Sequence, residues 1–481
     1  MLNFRIIARF FSLALIIEGL FMLLAAVVSF IYNEPASILF SGIITIVTGV
    51  LVYTPLRKEE KLHSNKEGYI IIVGIWLIIT LFSTLPYLMT KTVTNFTDAF
   101  FESMSGFTTT GATILNSIES QSHGILFWRS LTQWLGGLGF IIIFSLPLLP
   151  VVKSINIPLT LTDFTGQTAD KIHPKIREAS KRLFTIYLIL TLAETILLVA
   201  GGMNLFDALC HSFTTMSTGG FTTHDYSMAS IANPFILIVL TVFMFIAGTN
   251  LTLIYLGINS GIRKISRNNE FIFYLIICLV FILAGSFILW HESLYNAGKA
   301  LLMSSFHLVS TITTTGFYSA NYNAWGSVMI VIIFVLMFTG GTAGSAGGSL
   351  KIIRLLVAIK NSRVEMRRMI HPNAVIPVHV DHRVIQQSFV YNLLMFIVIY
   401  FIVICISSIV IAFMGYDIIT SFSTSAALLG NIGPAIGSFG PFSTYHSVPQ
   451  WGKWFFSFIM LLGRLEMLSV LIFFSRGFYK H

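Results

Sequence analysis

The chain has 481 residues, of which 55% are hydrophobic and only 10% are charged. A soluble domain needs more polar surface than this composition supplies, so membrane lipid must be the solvent for most of the chain. The net charge of +9 does not indicate a nucleic-acid partner, because the basic residues are not clustered with stacking aromatic side chains.

Apolar stretches recur along the sequence at about the 20-residue length that crosses the hydrocarbon core of a bilayer. They lie near residues 10–31, 36–54, 69–89, 125–149, 183–202, 234–257, 271–290, 327–339, 391–414 and 454–474. We therefore predict about ten spanning helices. The first stretch is expected to be a retained helix, because no small-residue cleavage site follows it.

Lysine and arginine are distributed unevenly between alternate loops. All but five of the 29 fall at the two termini or in the loops near 55–67, 151–182, 258–270 and 351–385. The exceptions are Lys91, Arg129, Lys299, Lys453 and Arg464. The positive-inside rule then predicts that these loops and both termini are cytoplasmic. The expected location is the bacterial inner membrane, with several passes through it.

One arrangement occurs four times: a span, a half-length apolar segment, a Thr/Gly-rich stretch and a second span. The Thr/Gly-rich stretches are TTTGA (108–112), STGGF (217–221), TTTGF (313–317) and GNIGP (430–434). Their aligned glycines are 109, 96 and 117 residues apart. The predicted units are two N-terminal helices (1–66) and four pore repeats (67–155, 156–262, 263–375 and 376–481), with a broken second helix in the third. The expected fold is an all-α polytopic membrane protein with four helix–pore loop–helix units around one pore.

The half-length segments lie near 97–107, 206–216, 297–312 and 417–428, and each is too short to cross a bilayer. The first, second and fourth open on aspartates, which are favoured helix N-caps: Asp98, Asp207 and Asp417. The C-terminus of a helix carries partial negative charge, so four such ends converging within the membrane favour a cation.

Beyond each half-helix the backbone must be buried in protein or line a watery cavity. Glycine there allows positive φ, and rings of backbone carbonyls that replace a hydration shell form potassium filters. The predicted filter residues are Thr109, Thr110, Gly111, Thr218, Gly219, Gly220, Thr314, Thr315, Gly316, Asn431, Ile432 and Gly433. Potassium is expected at Thr110, Gly111, Gly219, Gly220, Thr315, Gly316, Ile432 and Gly433. Ordinary helix-packing glycines would explain one such stretch, but four at similar spacing favour a pore.

A glycine-rich segment, residues 339–349, interrupts the second span of the third repeat and predicts a helix break, at a cost of about 1 kcal/mol per glycine. We interpret it as a gate below the filter, the alternative being close helix packing. The predicted gate residues are Gly340, Gly341, Gly344, Gly347, Gly348 and Arg464. Arg464 lies in an apolar run and must face the protein interior, either on the pore axis beside this segment or in a structural ion pair.

Several other polar residues receive structural interpretations. Glu102 and Arg129 are candidate partners. The cysteines Cys210, Cys278 and Cys405 are expected to be small buried hydrophobic residues. The histidines near the pore segments, His211, His224 and His307, show no zinc-ligand spacing on a helix.

The stretches 105–113 (SGFTTTGAT), 133–137 (QWLGG), 217–225 (STGGFTTHD) and 463–466 (GRLE) resemble the Trk/Ktr/HKT superfamily of potassium transporters, and most closely its Trk-type membrane subunits. The resemblance covers nearly the whole chain. It implies a single-chain pore of pseudo-fourfold symmetry, a homodimer and a cytosolic nucleotide-binding regulator of the Trk-A/Ktr-A type. In this family a serine at the first filter glycine goes with sodium transport, so Gly111 favours K+ as the transported ion, with no tightly bound cofactor. Ala435 departs from the family pattern, in which glycine is frequent at that position.

Other function classes fit less well. The sequence lacks the Gly-x-Ser-x-Gly, His-Glu-x-x-His and Gly-x-x-x-x-Gly-Lys patterns, so we do not expect an enzyme. A sodium transporter or sodium-coupled potassium transporter stays open as an alternative. A secondary transporter of organic solutes is weaker, because such carriers usually have a few broken helices rather than four matched re-entrant loops.

Overall fold

The computed structural model describes residues 3–56, 65–137, 173–231, 233–261, 263, 265–374, 376–381 and 383–476. Within these residues the regular secondary structure is helical apart from one short hairpin between β1 (Val378–Val380) and β2 (Arg383–Ile385), whose strands pair antiparallel. The predicted all-α membrane fold is confirmed.

Two helices, α1 (Phe4–Ile31) and α2 (Ser37–Tyr53), form an N-terminal hairpin. They approach closely at glycines, since a Cβ on Gly19 would lie 2.9 Å from the Gly42 carbonyl oxygen. Small residues are what permits such close helix contact in lipid, where no hydrophobic force drives two helices together.

The remaining helices follow the order of four repeated units. The first unit contains α3 (Asn65–Phe82), α4 (Thr84–Met89), α5 (Phe96–Phe107) and α6 (His123–Gly137). The second contains α7 (His173–Ala200), α8 (Leu205–Met216), α9 (Pro234–Ala247) and α10 (Leu251–Ser260). The third contains α11 (Asn269–His291), α12 (Ala297–Ile312), α13 (Gly326–Met337) and α14 (Ile352–Ile370). The fourth contains α15 (Gln387–Phe413), α16 (Ile418–Leu429), α17 (Gln450–Arg464) and α18 (Leu468–Leu471). The unit boundaries given above stay predictions.

Six of the described helices are long and apolar enough to cross a membrane, and two further bent pairs raise the number to eight. The predicted span 327–339 corresponds to α13, which has only 12 residues. The predicted span 125–149 begins in α6 and continues outside the described residues. The total of ten stays a prediction.

Breaks in the second helix are more frequent than the sequence analysis predicted. The expected break in the third unit is present, because α13 ends at Met337 and α14 begins at Ile352. The chain also bends by 100° between α9 and α10, and by 113° between α17 and the segment Leu468–Phe474. Asn250 starts a new helix at the first of these bends, with its side chain accepting from the backbone N–H groups of Thr252 and Leu253.

The four half-length helices are confirmed as α5, α8, α12 and α16, but two of the predicted N-caps are wrong. Asp417 caps α16, accepting from the Thr420 N–H. Asp98 and Asp207 instead lie in the first turn, and Asn95 and Asn204 occupy the caps. Asp98 pairs with Lys453 at 2.6 Å, which draws its carboxylate away from its own helix end.

Cys210 and Cys278 are buried as predicted, whereas the prediction for Cys405 is wrong because this thiol is exposed on α15. Helix α15 also exposes Ile402, Ile406 and Ile409. An apolar residue on a lipid-facing helix surface needs no cover from other protein segments. Hydrophobicity alone therefore does not distinguish residues buried in the protein from residues that face lipid.

Candidate functional site

All four half-length helices end in the same Schellman motif. In the first, the Thr110 N–H donates to the Ser105 carbonyl at 2.9 Å and the Thr109 N–H donates to the Gly106 carbonyl at 3.0 Å. The residue that turns left-handed is not glycine, and its φ lies between 52° and 59° in all four copies: Thr109, Thr218, Thr314 and Asn431. The sequence does not predict this feature, because glycine is the residue expected where positive φ is needed.

Two residues further on, the predicted glycines adopt positive φ in every copy. The values are 79° for Gly111, 78° for Gly220, 80° for Gly316 and 93° for Gly433. The backbone therefore repeats one conformation four times, with a left-handed residue on each side of an intervening residue. Such a backbone turns successive peptide groups in alternate directions without the steric cost that a Cβ would impose at the glycines.

The four glycines form a closed ring of contacts. A Cβ on Gly111 would overlap the Gly219 carbonyl oxygen, one on Gly220 the Thr315 oxygen, one on Gly316 the Ile432 oxygen and one on Gly433 the Thr110 oxygen. Each carbonyl belongs to the residue just before the aligned glycine of the next repeat. The contacts run from repeat 1 to 2, 3, 4 and back to 1, so the Thr/Gly-rich stretches surround one axis.

Buried polar side chains hold the first two stretches in place. Gln133 on α6 donates from Nε2 to the Gly219 carbonyl at 2.7 Å and accepts from the Phe221 N–H at 3.0 Å. Arg129, one helical turn earlier, donates to Glu102 from Nε at 2.9 Å and to the Thr222 carbonyl at 3.2 Å. The expected pairing of Glu102 with Arg129 is confirmed. Gln133 was missed as a positioning residue, because an isolated amide in an apolar run carries no spacing signal.

The third and fourth stretches are held by hydroxyl and amide groups. Thr313 Oγ1 and Thr315 Oγ1 lie 2.8 Å apart, as do the corresponding atoms of Thr108 and Thr110 in the first stretch. Asn431 donates to Thr110 Oγ1 at 3.0 Å and so joins the fourth stretch to the first.

Two of the eight predicted potassium carbonyls also accept protein hydrogen bonds. The Tyr445 hydroxyl donates to the Gly433 carbonyl at 2.8 Å, and Gln133 donates to Gly219 as described above. Because a carbonyl oxygen has two lone pairs, each of these bonds leaves one for another partner.

The glycine-rich segment between α13 and α14 lies directly against the base of this ring. The Gly348 N–H donates to Thr314 Oγ1 at 2.8 Å. A Cβ on Gly347 would lie 3.0 Å from the Thr313 carbonyl oxygen, and one on Gly348 would overlap the Gly430 carbonyl oxygen. The packing of backbone against backbone explains why the segment is rich in glycine.

Arg464 joins this segment to two other repeats. It donates to the Ala346 carbonyl at 2.8 Å and to the carbonyls of Gly136 and Gly137 at the end of the described part of α6. It lies beside a cavity of about 240 Å³, lined also by the glycine-rich segment, Leu429 and Tyr400. The structure therefore places Arg464 beside the segment, as expected, and gives it carbonyl partners rather than a carboxylate.

Two further basic residues lie at the C-terminal end of the segment. Lys351 donates to the Gly347 carbonyl and, at 3.3 Å, to that of Ser345. Arg354 pairs with Glu466 and lies over the Phe396 ring, 3.9 Å from its centroid. Glu466 is thus the partner of Arg354.

The histidines near the ring are not arranged as metal ligands. The His211 and His224 rings lie 5.9 Å apart, and His307 Nε2 lies 3.1 Å from Ser319 Oγ. Within the described part of the chain, no group of three or more His, Cys, Asp and Glu side chains is placed to hold a metal ion.

Comparisons with known proteins agree with this architecture. Residues 35–480 match the TrkH family model, described as a cation transport protein. The chain is 33% identical to the Trk system potassium uptake protein TrkH of Salmonella typhimurium over 100% of both chains. It is 31% identical to the Trk system potassium uptake protein TrkG of Escherichia coli over 99% of both. The crystal structure of the potassium transporter TrkH from Vibrio parahaemolyticus superposes with a TM-score of 0.89 at 32% identity, covering 99% of this chain and 100% of that one. Four repeated units around one axis and a match over nearly the whole length lead to one conclusion: the chain belongs to the TrkH family of cation transport proteins.

Proposed function

We propose that the chain takes up potassium ions across the bacterial inner membrane through a filter of backbone carbonyls. The observation that carries this proposal is the closed ring in which each aligned glycine contacts the carbonyl of the next repeat. The carbonyls proposed to face potassium belong to the eight residues predicted above, from Thr110 to Gly433. Relatives of nearly equal length that are named potassium uptake proteins support potassium as the ion.

The test is rubidium-86 uptake into proteoliposomes that contain the purified protein, with potassium or sodium as competitor. We expect potassium to abolish uptake and sodium at the same concentration to leave most of it. In Gly111→Ser, a side chain is added at a φ of 79° and against the Gly219 carbonyl, so the ring must widen or shift. We expect sodium to compete measurably better in this variant.

Gly202→Ser provides a matched control. Gly202 also has positive φ, at 93°, but among the described residues no heavy atom lies within 4 Å of its Cβ position. This control reproduces the backbone strain without the contact to a neighbouring repeat, and it should keep wild-type selectivity. If sodium competes as well as potassium in the wild type, the sodium alternative replaces this proposal.

We also propose that the glycine-rich segment and Arg464 form the gate. The segment lies against the base of the ring, and its carbonyls are held by Arg464 and Lys351. A guanidinium beside the cavity below the filter raises an electrostatic barrier to a cation, and movement of either group would lower it.

The assembly and orientation are proposed on the resemblance and on charge. A homodimer and a cytosolic nucleotide-binding regulator follow from the Trk-type resemblance, and the relatives are named as parts of a Trk system. Both termini are placed in the cytoplasm by the distribution of lysine and arginine. The four pore repeats are proposed to keep the boundaries predicted from the sequence.

A further inference from the structure

The segments that follow the four Thr/Gly-rich stretches are joined into a second ring on the side of the filter away from the glycine-rich segment. Asp225 accepts from the N–H groups of Ile118 and Glu119 and so joins repeats 1 and 2. The Met228 N–H donates to the Tyr318 carbonyl at 3.0 Å, between repeats 2 and 3. Between repeats 3 and 4 the Tyr322 hydroxyl donates to the Ala435 carbonyl at 2.7 Å, and between repeats 4 and 1 the Tyr445 N–H donates to the Thr113 carbonyl at 2.8 Å.

One aromatic residue departs from this nearest-neighbour pattern. Phe442 of repeat 4 contacts Tyr318 of repeat 3, with ring centroids 5.3 Å apart, and also Tyr226 of repeat 2, at 5.4 Å. Repeats 2 and 4 are opposite each other in the filter ring. Tyr318 follows the filter glycine Gly316 by only two residues. A side chain that reaches both tyrosines therefore extends from its own repeat toward the far side of the pore mouth.

Tyr226, Tyr318 and Phe442 are called the aromatic cage below, because Phe442 meets each tyrosine ring edge to face. Phe442 is inclined by 84° to the Tyr318 ring and by 78° to the Tyr226 ring, so the rings present faces in different directions rather than one stack. The exposed fractions of Phe442 and Tyr226 are 38% and 60%, which leaves the cage open to solution. Phe442 is held at a φ of 68°, a conformation that is an outlier for a bulky residue and concentrates at functional sites.

The charge around the cage favours a cation. The Asp225 carboxylate, which accepts from the Ile118 and Glu119 N–H groups, supplies negative charge at this mouth. Asp225 also precedes Tyr226 directly in the chain. Aromatic faces attract cations through the ring quadrupole, and cages of two or three rings recognise quaternary ammonium groups.

We infer that Tyr226, Tyr318 and Phe442 form an external site for organic monovalent cations, at which a quaternary ammonium ion obstructs the filter and competes with potassium. The obstruction rests on the proposed potassium pathway, whereas binding to the cage does not. A tetraalkylammonium ion fits this site because its charge is spread over alkyl groups that pack on ring faces and because it is too large to enter a filter built for a bare potassium ion.

The test measures inhibition of rubidium-86 uptake by tetraethylammonium added to the side opposite the basic loops, together with calorimetric binding of tetraethylammonium to the detergent-solubilised protein. Each variant is normalised to its own uninhibited rate. We expect Tyr226→Ala to raise the half-inhibitory concentration and the dissociation constant by about threefold or more, the size of one cation–π contact. Tyr226→Phe should retain wild-type values, because it keeps the ring face.

Tyr391→Ala is the matched control, since Tyr391 is 63% exposed but lies on α15, away from the cage. It should leave inhibition and binding unchanged. The inference is overturned if rubidium uptake proceeds and tetraethylammonium neither inhibits nor binds, or if Tyr226→Ala is inhibited and binds like the wild type. Absence of rubidium uptake in the wild type would count against the proposed function, and the calorimetric comparison would then decide on the cage alone.

Discussion

Arg129 and Glu102 form a charge pair of which no more than 1% of either side chain is exposed. The pair fixes the position of two backbone segments. Glu102 accepts from the Ile114 N–H of repeat 1, while Arg129 donates to the Thr222 carbonyl of repeat 2 and packs over the Phe221 ring, 4.1 Å from its centroid. Two neighbouring parts of the proposed filter wall thus share one buried ion pair.

We expect Arg129→Met to destabilise the protein by about 3–5 kcal/mol, because the Glu102 carboxylate would be left buried without its cation. The effect is measured as a lower midpoint of thermal unfolding in detergent. Arg368→Ala is the comparison: its pair with Glu365 has side chains 29% and 48% exposed, and its loss should cost about 1 kcal/mol or less.

The double variant Glu102→Gln with Arg129→Met separates pairing from packing. It should be more stable than Arg129→Met alone, since no uncompensated charge remains. Equal stability of the single and double variants would show that the ion pair is not what holds these segments.

For single residues, the sequence predicts the backbone conformation of the four aligned glycines but not that of the residues two positions before them. Gly111 and its three counterparts follow from the need for positive φ. The left-handed conformation of Thr109 and Asn431 does not follow from the sequence, because threonine and asparagine are found in many backbone conformations. Their conformation is imposed by the Schellman bonds of the preceding helix.

Among the elements, the half-length helices were predictable in length and position, but their first residues were not. Three of the four are capped by a side chain that accepts a backbone N–H: Asn204, Asn296 and Asp417. Aspartate and asparagine are nearly equivalent caps, so a nearby aspartate is an ambiguous guide to where a helix begins.

We predict that Asn204→Ala lowers stability by about 1 kcal/mol, because the Asp207 N–H loses its acceptor at 2.8 Å. Asn95→Ala should have little effect on the corresponding helix, since the Asn95 side chain makes no capping bond in the structure. Thermal unfolding of the two variants in the same detergent provides the comparison. A larger loss for Asn95→Ala would contradict the assignment of the caps.

The broken second helices give a prediction about the gate. We expect Arg464→Ala to raise the initial rate of rubidium uptake about threefold or more, because one positive charge leaves the cavity below the proposed filter. Arg464→Lys should lie between the variant and the wild type, and Arg363→Ala, which alters an exposed charge on α14, should change nothing. An unchanged rate in a correctly folded Arg464→Ala protein would reduce Arg464 to a structural role.

For the whole molecule, the sequence predicts the repeats and the apolar exterior, but the positions of two helix bends are seen only in the structure. Four repeats and an apolar exterior could be predicted from the sequence. The additional bends after α9 and α17 were not predicted, because each lies inside a stretch that is long and apolar enough to be taken as one span. The break after α9 is stabilised by a distant segment, because the Thr342 N–H donates to the Gly248 carbonyl at 2.9 Å.

Two exposed serines test the proposed orientation in a variant that lacks the native cysteines. Ser230→Cys should react with a membrane-impermeant maleimide in intact spheroplasts, whereas Ser362→Cys should react only after permeabilisation. The two sites are comparable, since each serine hydroxyl donates to a backbone carbonyl, at 3.0 Å and 2.9 Å respectively. The opposite labelling pattern would invert the topology.

Closure of the filter ring also has a consequence for biogenesis. The contact of Gly433 with Thr110 and the bond from Asn431 to Thr110 join residues more than 300 positions apart. Because the ribosome supplies the fourth repeat last, the first three must wait in the membrane with an open flank. A nascent chain that stops before α16 therefore lacks both contacts, and its ring of Thr/Gly-rich stretches cannot close until the fourth repeat is made.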